Sequence, residues 1–444
     1  PVCSPCLVGH PLLGEKKVYN NSFSLKKISS FSNGFETVLK NTSNEIELTG
    51  DSLVVVMSGS GGITKYTTFY SNNFLIKHDF VTTQSMKGYS VSWDGGIRPT
   101  EKNIIEELTY SQGFVAQNKD IESVSFSPKG IEDRPEKIIK GGKTDWVGIR
   151  NKYFINALVT EQAVGGKVDG HADIFNKNID LFVPSFEVTL DFPPNEIISI
   201  NQFFGPLDVD IIGESNTYLD RVMNFGWLPI QPFSRSVLWI LKTLHFSGLN
   251  YGIILILFAF LIRLITGPLT KKSFESTQKM QTVQPKLKKI QEKYKKDSQK
   301  LNQEMVKLYK TEGVNPMGGC LPMLIQMPLL FSLFIVFRST IEFRGAPFLG
   351  WIQDLSQPDI IFNLPFHIPI YGSHVGLLPI VLGISMFLSQ RLSMATMDKS
   401  QRPMMYMMTA FFFLLFNQFP SGLNIYYTVY NILNYFQQKK LKKA

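Results

Sequence analysis

The sequence predicts a multi-domain chain: a polar, strand-rich soluble domain followed by an α-helical membrane domain. Three observations carry this. Residues 1 to about 230 are rich in Asn, Ser, Thr and Gly and hold no long apolar run, whereas five apolar segments follow from about residue 249. The first of these runs from Tyr251 to Ile262 and ends in an arginine, Arg263. The formal charge of +9 is concentrated between Gly267 and Glu312, where twelve lysines face five acidic residues.

At the start, residues 1–14 read as a disordered or fragmentary terminus. Cys3 and Cys6 form a C-x-x-C, but a redox-active pair opens a helix after a strand, and Pro-Val-Cys-Ser-Pro-Cys offers neither. No start methionine or signal sequence precedes a domain that must be exported, so the chain reads as a fragment or a processed form.

Residues 15–225 read as a large β-sandwich. Phe186-Glu-Val-Thr-Leu-Asp-Phe192 alternates apolar and polar at every step. Leu53-Val-Val-Val-Met57 is joined by Ser-Gly-Ser-Gly-Gly to the β-rich Ile63–Tyr70, and the turn signal Asp94-Gly95 follows Tyr89–Trp93.

Residues 226–248 contain an amphipathic helix in which Val237, Leu238, Leu241 and Leu244 share one face. It is too short and polar to span a bilayer, and Trp239 suits the interface, so one reading lays it flat on the outer leaflet; the other makes it a core helix of the β domain.

The membrane domain occupies 249–444. A guanidinium in hydrocarbon costs roughly 2.5 to 3.5 kcal/mol on insertion scales, so Arg263 needs water, a partner or a task. It can snorkel to headgroups or face a wet cavity. The next cation, Lys271, lies about 12 Å further along a helix, beyond the reach of an arginine stem, which favours the cavity. The basic segment, about 271–312, reads as a helical hairpin: Met280, Val283, Leu287, Ile290 and Tyr294 recur at helical spacing, and the pattern resumes after Asp297-Ser298 with Leu301, Met305 and Leu308. Pro285 is expected to mark a helix boundary. The lysines are either a solvated face or a binding surface.

Further spans are expected at roughly 319–337, 375–390, 403–419 and 421–436; the last two are short, about 25 Å each, and call for a thinned bilayer or snorkelling flanks. Cys320 is a small apolar residue at the head of a span. The positive-inside rule puts the hairpin, Arg391, Lys399, Arg402 and the terminal lysines in the cytoplasm. Five crossings then leave the N-terminal domain outside.

Catalytic and metal signatures are missing. There is no His-Glu-x-x-His, Gly141-Gly-Lys-Thr144 lacks the leading glycine of a phosphate loop, and the six histidines are scattered. Within the spans, polar residues recur: Gln326, Gln390, Asn417, Gln418, Asn424, Tyr426, Tyr427, Asn431 and Asn434. Each alone suits a helix-to-helix hydrogen bond; with Arg263 they could line a hydrophilic groove.

Ile262-Arg-Leu-Ile-Thr-Gly-Pro-Leu-Thr270, the hairpin, Gly313-Val-Asn-Pro-Met-Gly-Gly-Cys-Leu-Pro-Met-Leu-Ile-Gln-Met-Pro328, Ala346–Leu355 and Phe419-Pro-Ser-Gly-Leu423 resemble, in that order, the YidC/Oxa/Alb family of membrane protein insertases. Lys143-Thr-Asp-Trp-Val-Gly-Ile-Arg-Asn-Lys-Tyr-Phe154 is similar to part of the periplasmic domain of Gram-negative members.

The resemblance implies a periplasmic β-supersandwich and five core spans around a positively charged groove open to cytoplasm and lipid. It implies a substrate groove at Arg263, Gln326, Gln390, Tyr426 and Tyr427, and a mobile cytoplasmic hairpin bearing Lys288, Lys289, Lys295 and Lys296. The implied activity is energy-independent insertion and chaperoning of membrane proteins at the bacterial inner membrane, with no cofactor, no metal and no enzymatic step. The implied partners are nascent membrane proteins, the Sec translocon, the ribosome and signal recognition particle pathway and anionic lipids, but not DNA. Ala259 stands where some members have a substrate-touching threonine, the usual N-terminal anchor span is not in this sequence, and the tail after Tyr435 is short. Two other classes remain: a small-solute transporter or channel using Arg263 as an anion site, which would favour internal repeats not seen here, and a sugar-binding outer domain, for which no paired-carboxylate motif stands out.

Overall fold

The computed structural model describes residues 23–27, 36–37, 44–49, 52–59, 62–71, 73–83, 88–101, 103–125, 137–176, 181–194, 197–213, 217–315, 321–394 and 402–443. Cys3, Cys6, Cys320, Lys399 and the proposed terminus 1–14 lie outside them. The chain divides into two compact units, Pro1–Met223 and Asn224–Ala444.

Among the described residues the first unit is built from two antiparallel sheets. The larger runs in the order Asn44–Thr49, Ser52–Gly59, Ile63–Tyr70, Leu75–Thr82, Ile197–Pro206, Phe154–Val159, Trp146–Arg150, Gln112–Gln117 and Asp120–Ser125. The smaller runs Ile138–Gly141, Gly165–Asn176, Leu181–Phe192, Tyr89–Trp93, Phe23–Lys27 and Glu36–Thr37. The Ser-Gly-Ser-Gly-Gly linker turns as read, with Gly59 opposite Ile63. One apolar core joins the sheets: Val115, Val147 and Ile149 come from the larger, Val168, Val188 and Leu190 from the smaller. The faces approach so closely that a methyl at Gly113 would lie 2.5 Å from Val168 and one at Gly166 3.1 Å from Val115.

A chain of polar side chains is buried on the core face of the larger sheet. His78 Nε2 donates to Gln202 Oε1 at 2.8 Å, Thr67 Oγ1 meets Nδ1 at 3.3 Å, and Gln202 Nε2 donates to Asn156 Oδ1 at 2.7 Å. A ring that donates at one nitrogen and accepts at the other is neutral. Burial, and then the nearby Lys65 ammonium, push His78 down to about 4, while burial alone brings Lys65 down to about 8.

The Lys143–Phe154 motif serves this fold. Trp146 Nε1 donates to Thr217 O at 2.9 Å, and Arg150 Nη1 donates to Val222 O, so the strand grips the segment by which the chain leaves the unit. Asn151 Nδ2 reaches Glu107 Oε1 at 2.8 Å and Lys152 pairs with Glu106 at 3.0 Å, which docks the short helix α1, Ile104–Leu108. A second short helix, α2, spans Val209–Gly213.

The second unit is helical. Helix α3, Gln231–His245, buries Val237, Leu238 and Leu241 and packs on α6, Leu321–Ser339, and on α4, Tyr251–Lys293. It is therefore a helix of the helical unit, while Trp239 stays 68% exposed. Helix α4 starts at Asn250, whose side chain accepts from Gly252 N at 2.8 Å and donates to Pro347 O at 2.7 Å.

Contrary to the boundary expected at Pro285, α4 continues through both Pro268 and Pro285 to Lys293. Each proline forfeits one backbone bond at about 3 kcal/mol, and the flanking turns of good helix formers carry the helix across. Helix α5, Ser298–Thr311, is capped by the Asp297 carboxylate on Lys300 N at 3.0 Å and returns along α4, with Lys286 paired to Glu312 at 2.6 Å. Leu287, Ile290, Leu301 and Leu308 are half-buried along this pair.

Helices α7 (Leu377–Met394), α8 (Arg402–Phe416) and α9 (Ser421–Lys443) complete the unit. Between α6 and α7 lies a strand pair, Phe362–Ile368 with Gly372–Val375. Among the described residues α4 is the one helix long and apolar enough to cross a membrane; Gln326–Ser339, Leu377–Leu392 and Arg402–Phe416 are shorter apolar stretches.

Candidate functional site: a buried arginine among tyrosines

Helix α9 organises the site because it packs against α4, α6 and α7 together. All of Ser421–Thr428 is buried, an all-round burial expected of a central helix. Close approach requires a glycine: a methyl at Gly422 would lie 2.4 Å from the Phe337 ring on α6. The start of α9 is held by an earlier loop. Ser421 N donates to Gln357 O at 2.7 Å, Gly422 N to Leu355 O at 3.0 Å, and Ser421 Oγ to Asp354 O at 3.0 Å. Two of the first N–H groups of a helix, which have no partner within it, are thereby satisfied. The two sequence motifs at Ala346–Leu355 and Phe419–Leu423 are thus halves of one clasp.

Arg263 is buried in α4. Its Nη1 donates to Thr270 Oγ1 at 3.3 Å, and its guanidinium lies 5.6 Å from the Tyr430 ring centre on α9. Nε and Nη2 are buried with no hydrogen-bond partner among the described residues. Tyr430 stacks on Tyr426 at 6.0 Å, Tyr426 meets Tyr427 edge-on at 5.0 Å, and Phe258 of α4 lies 5.6 Å from Tyr426. The Tyr426 and Tyr427 hydroxyls neighbour the Gln326 side chain, and these hydroxyls and Gln326 Nε2 are likewise buried without a hydrogen bond among the described residues. One end of the constellation is therefore a cation against an aromatic face, the other a group of unspent donors and acceptors. Buried polar groups left in this state each cost about 1–3 kcal/mol.

Not every expected residue joins this site. Arg263, Gln326, Tyr426 and Tyr427 are linked through Tyr430. Gln390 accepts from Thr409 Oγ1 and ties α7 to α8. Asn417 donates to Tyr371 O and His374 O and accepts from Gly376 N, and Gln418 donates to Ile370 O; both hold the strand pair. Asn434 donates to Ser389 Oγ at 2.8 Å. Sequence reasoning missed Tyr430 and Thr270. Tyr430 lies one turn after Tyr426, and that spacing was the available signal. Lys288, Lys289, Lys295 and Lys296 are all exposed on the α4–α5 pair, apart from the arginine.

A two-sheet β unit followed by an apolar helical unit that buries an arginine marks a membrane-embedded protein carrying a folded polar domain. Comparison with known families is specific on this point. Residues 242–444 match the 60Kd inner membrane protein family and residues 15–240 match the YidC periplasmic domain. The chain belongs to the YidC family of inner-membrane proteins.

A membrane protein insertase YidC from Chlorobium luteolum is 38% identical over 390 residues, covering 84% of this chain and 64% of the relative. One from Chlorobium phaeovibrioides is 39% identical over 364 residues, covering 79% and 60%. The chain thus spans a little under two thirds of the length of these curated relatives. A crystal structure of an active YidC insertase with its first transmembrane domain resolved aligns at 19% identity over 94% of this chain and 83% of that one, with a TM-score of 0.39.

Proposed function

We propose that this chain is a membrane protein insertase and chaperone. The observation that carries the reading is the Arg263 constellation: a buried cation with two unpaired nitrogens, in an apolar helix, beside unpaired tyrosine hydroxyls and a glutamine. The relatives' activity and their identity of more than a third support it.

In this reading α4, α6, α7, α8 and α9 are five core spans, the α4–α5 pair is a cytoplasmic hairpin, the β-supersandwich is periplasmic and the C-terminus is cytoplasmic. The distribution of lysines supports that orientation. A hydrophobic segment arrives from the cytoplasm, and its polar flank exchanges water for Arg263, Gln326, Tyr426 and Tyr427 before the segment slips sideways into lipid. Arg263 attracts acidic residues of the translocating tail, with Tyr430 lying against its guanidinium. No covalent step is needed. The hairpin lysines Lys288, Lys289, Lys295 and Lys296 meet anionic lipid, ribosomal RNA or targeting factors, and the Sec translocon is a partner for larger clients.

The test is depletion of the host's own insertase and complementation by the full protein containing this chain, scored by insertion of a small single-span membrane protein. Restored insertion supports the reading; a chain present in the membrane that restores none refutes it.

A further inference from the structure

The loop between α6 and α7 presents an apolar surface to which the groove assigns no use. Phe362 and Phe366 are each 60% exposed and Ile361 is 56% exposed, at one strand of the pair Phe362–Ile368 with Gly372–Val375. From Ile360 to Gln390 the sequence contains no Asp, Glu, Lys or Arg. Such a cluster on a surface element marks a binding face for lipid or protein.

Three features fix what lies against it. The pair is clamped to the end of α8 by Asn417, which donates to Tyr371 O at 2.9 Å and His374 O at 2.7 Å, and by Gln418, which donates to Ile370 O. Ile370 is held at φ +70°, a conformation costing a β-branched residue on the order of 1–3 kcal/mol. The pair is thus a shaped extension of the helix end. Next, Asp359 Oδ2 accepts from Leu377 N and Leu378 N at the start of α7, each at 2.9 Å, and from Trp351 Nε1 at 3.2 Å. This holds a half-exposed indole level with a helix end, where interfacial tryptophans sit. Finally, the described part of α8 has 15 residues, about 22 Å of helix, against a roughly 30 Å hydrocarbon core. A strand pair without Asp, Glu, Lys or Arg, presenting Phe362 and Phe366, adds apolar height at the C-terminal end of α8.

We propose that the Phe362–Val375 strand pair is a lipid-facing wedge, seated among the upper acyl chains of the outer leaflet. It extends the apolar height of α8 at its C-terminal end, so that the outer leaflet need not thin there. The inference rests on the reading of α4 and α6–α9 as spans.

The test uses the chain in proteoliposomes of phosphatidylethanolamine and phosphatidylglycerol, with Cys3, Cys6 and Cys320 replaced by serine and one environment-sensitive fluorophore on Phe366→Cys. Exposure of Phe366 makes the label compatible with folding. Lipids carrying a nitroxide near the glycerol end of the acyl chain should remove most of the fluorescence, and aqueous iodide little of it. A parallel label on Leu257→Cys, exposed on α4, checks the span reading with a nitroxide deep in the chain. Quenching of Leu257 by lipid together with iodide quenching of Phe366 overturns the wedge alone. Protection of Phe366 from both quenchers also overturns it, because a protein then covers the face. A Leu257 label open to iodide overturns the span reading and the wedge with it.

Discussion

Acidification should loosen the β unit through one side chain, His78. Its imidazole is buried and neutral between Thr67 and Gln202, and burial beside Lys65 brings it from 6.5 to about 4. Between those values the unfolded chain binds a proton that the folded chain refuses, so stability is full above 6.5 and falls as pH drops toward 4. At about 1.36 kcal/mol per pH unit the whole span is worth about 3 kcal/mol, most of which has gone by pH 4.5. Lys65 stays charged through this window and adds no slope of its own. Glu107, raised by burial, works in the opposite sense and would mask part of the effect. The comparison is therefore with His78→Gln, which retains a hydrogen bond toward Gln202 and cannot titrate. Urea unfolding of residues 15–225, followed by Trp93 and Trp146 fluorescence, gives stability at pH 7 and 4.5. The parent should lose about 2 to 3 kcal/mol more than the variant; equal losses would refute the reasoning.

Arg263→Ala should impair insertion of substrates with acidic translocated tails more than neutral ones, and Arg263→Lys should recover part of it, since a point charge suffices for steering; equal insertion of both tails by Arg263→Ala and parent would sink the steering role. Neutralising Lys288, Lys289, Lys295 and Lys296 should weaken ribosome or anionic-vesicle binding most at low salt, as a cosedimentation series would show, whereas unchanged binding across the series would leave those charges a purely topological task. Deleting most of residues 1–200 should leave insertion largely intact, because every member of the arginine site lies after Leu249; lost insertion at normal protein level would move the mechanism into the β unit. Gly422→Leu should lower stability by several kcal/mol, since Phe337 occupies the space a side chain would need, and an unchanged melting temperature in detergent would contradict that packing.

Local patterns were readable from sequence where one residue's periodicity decides the outcome. Alternation over Phe186–Phe192 gave a strand, the Gly-rich linker after Met57 gave a turn, and the apolar face of Val237, Leu238 and Leu241 gave the buried side of α3. Arg263 announced itself because a cation in hydrocarbon is costly wherever its neighbours are. Pairings across distant segments were not readable. Whether Gln390 meets Arg263 or Thr409 depends on the rotation of α7 against α8, and composition carries no trace of that angle. Tyr430 gains its role from the register of α4 against α9. Pro285 misled for a different reason: proline removes one hydrogen bond, and a 43-residue helix has enough others to run on.

The clasp between Asp354–Gln357 and Ser421–Gly422 has a consequence for how the protein is made. The segment that seats α9 is synthesised more than sixty residues before its partner. Arg263 is synthesised earlier still, and Tyr426, Tyr427 and Tyr430 follow it by more than 160 residues. A growing chain therefore contains α4 and α6 to α8 before the tyrosines that face Arg263 have been made. Chains cut short before Ser421 would carry Arg263 without any of its tyrosine companions, and on the proposed reading they should restore no insertion.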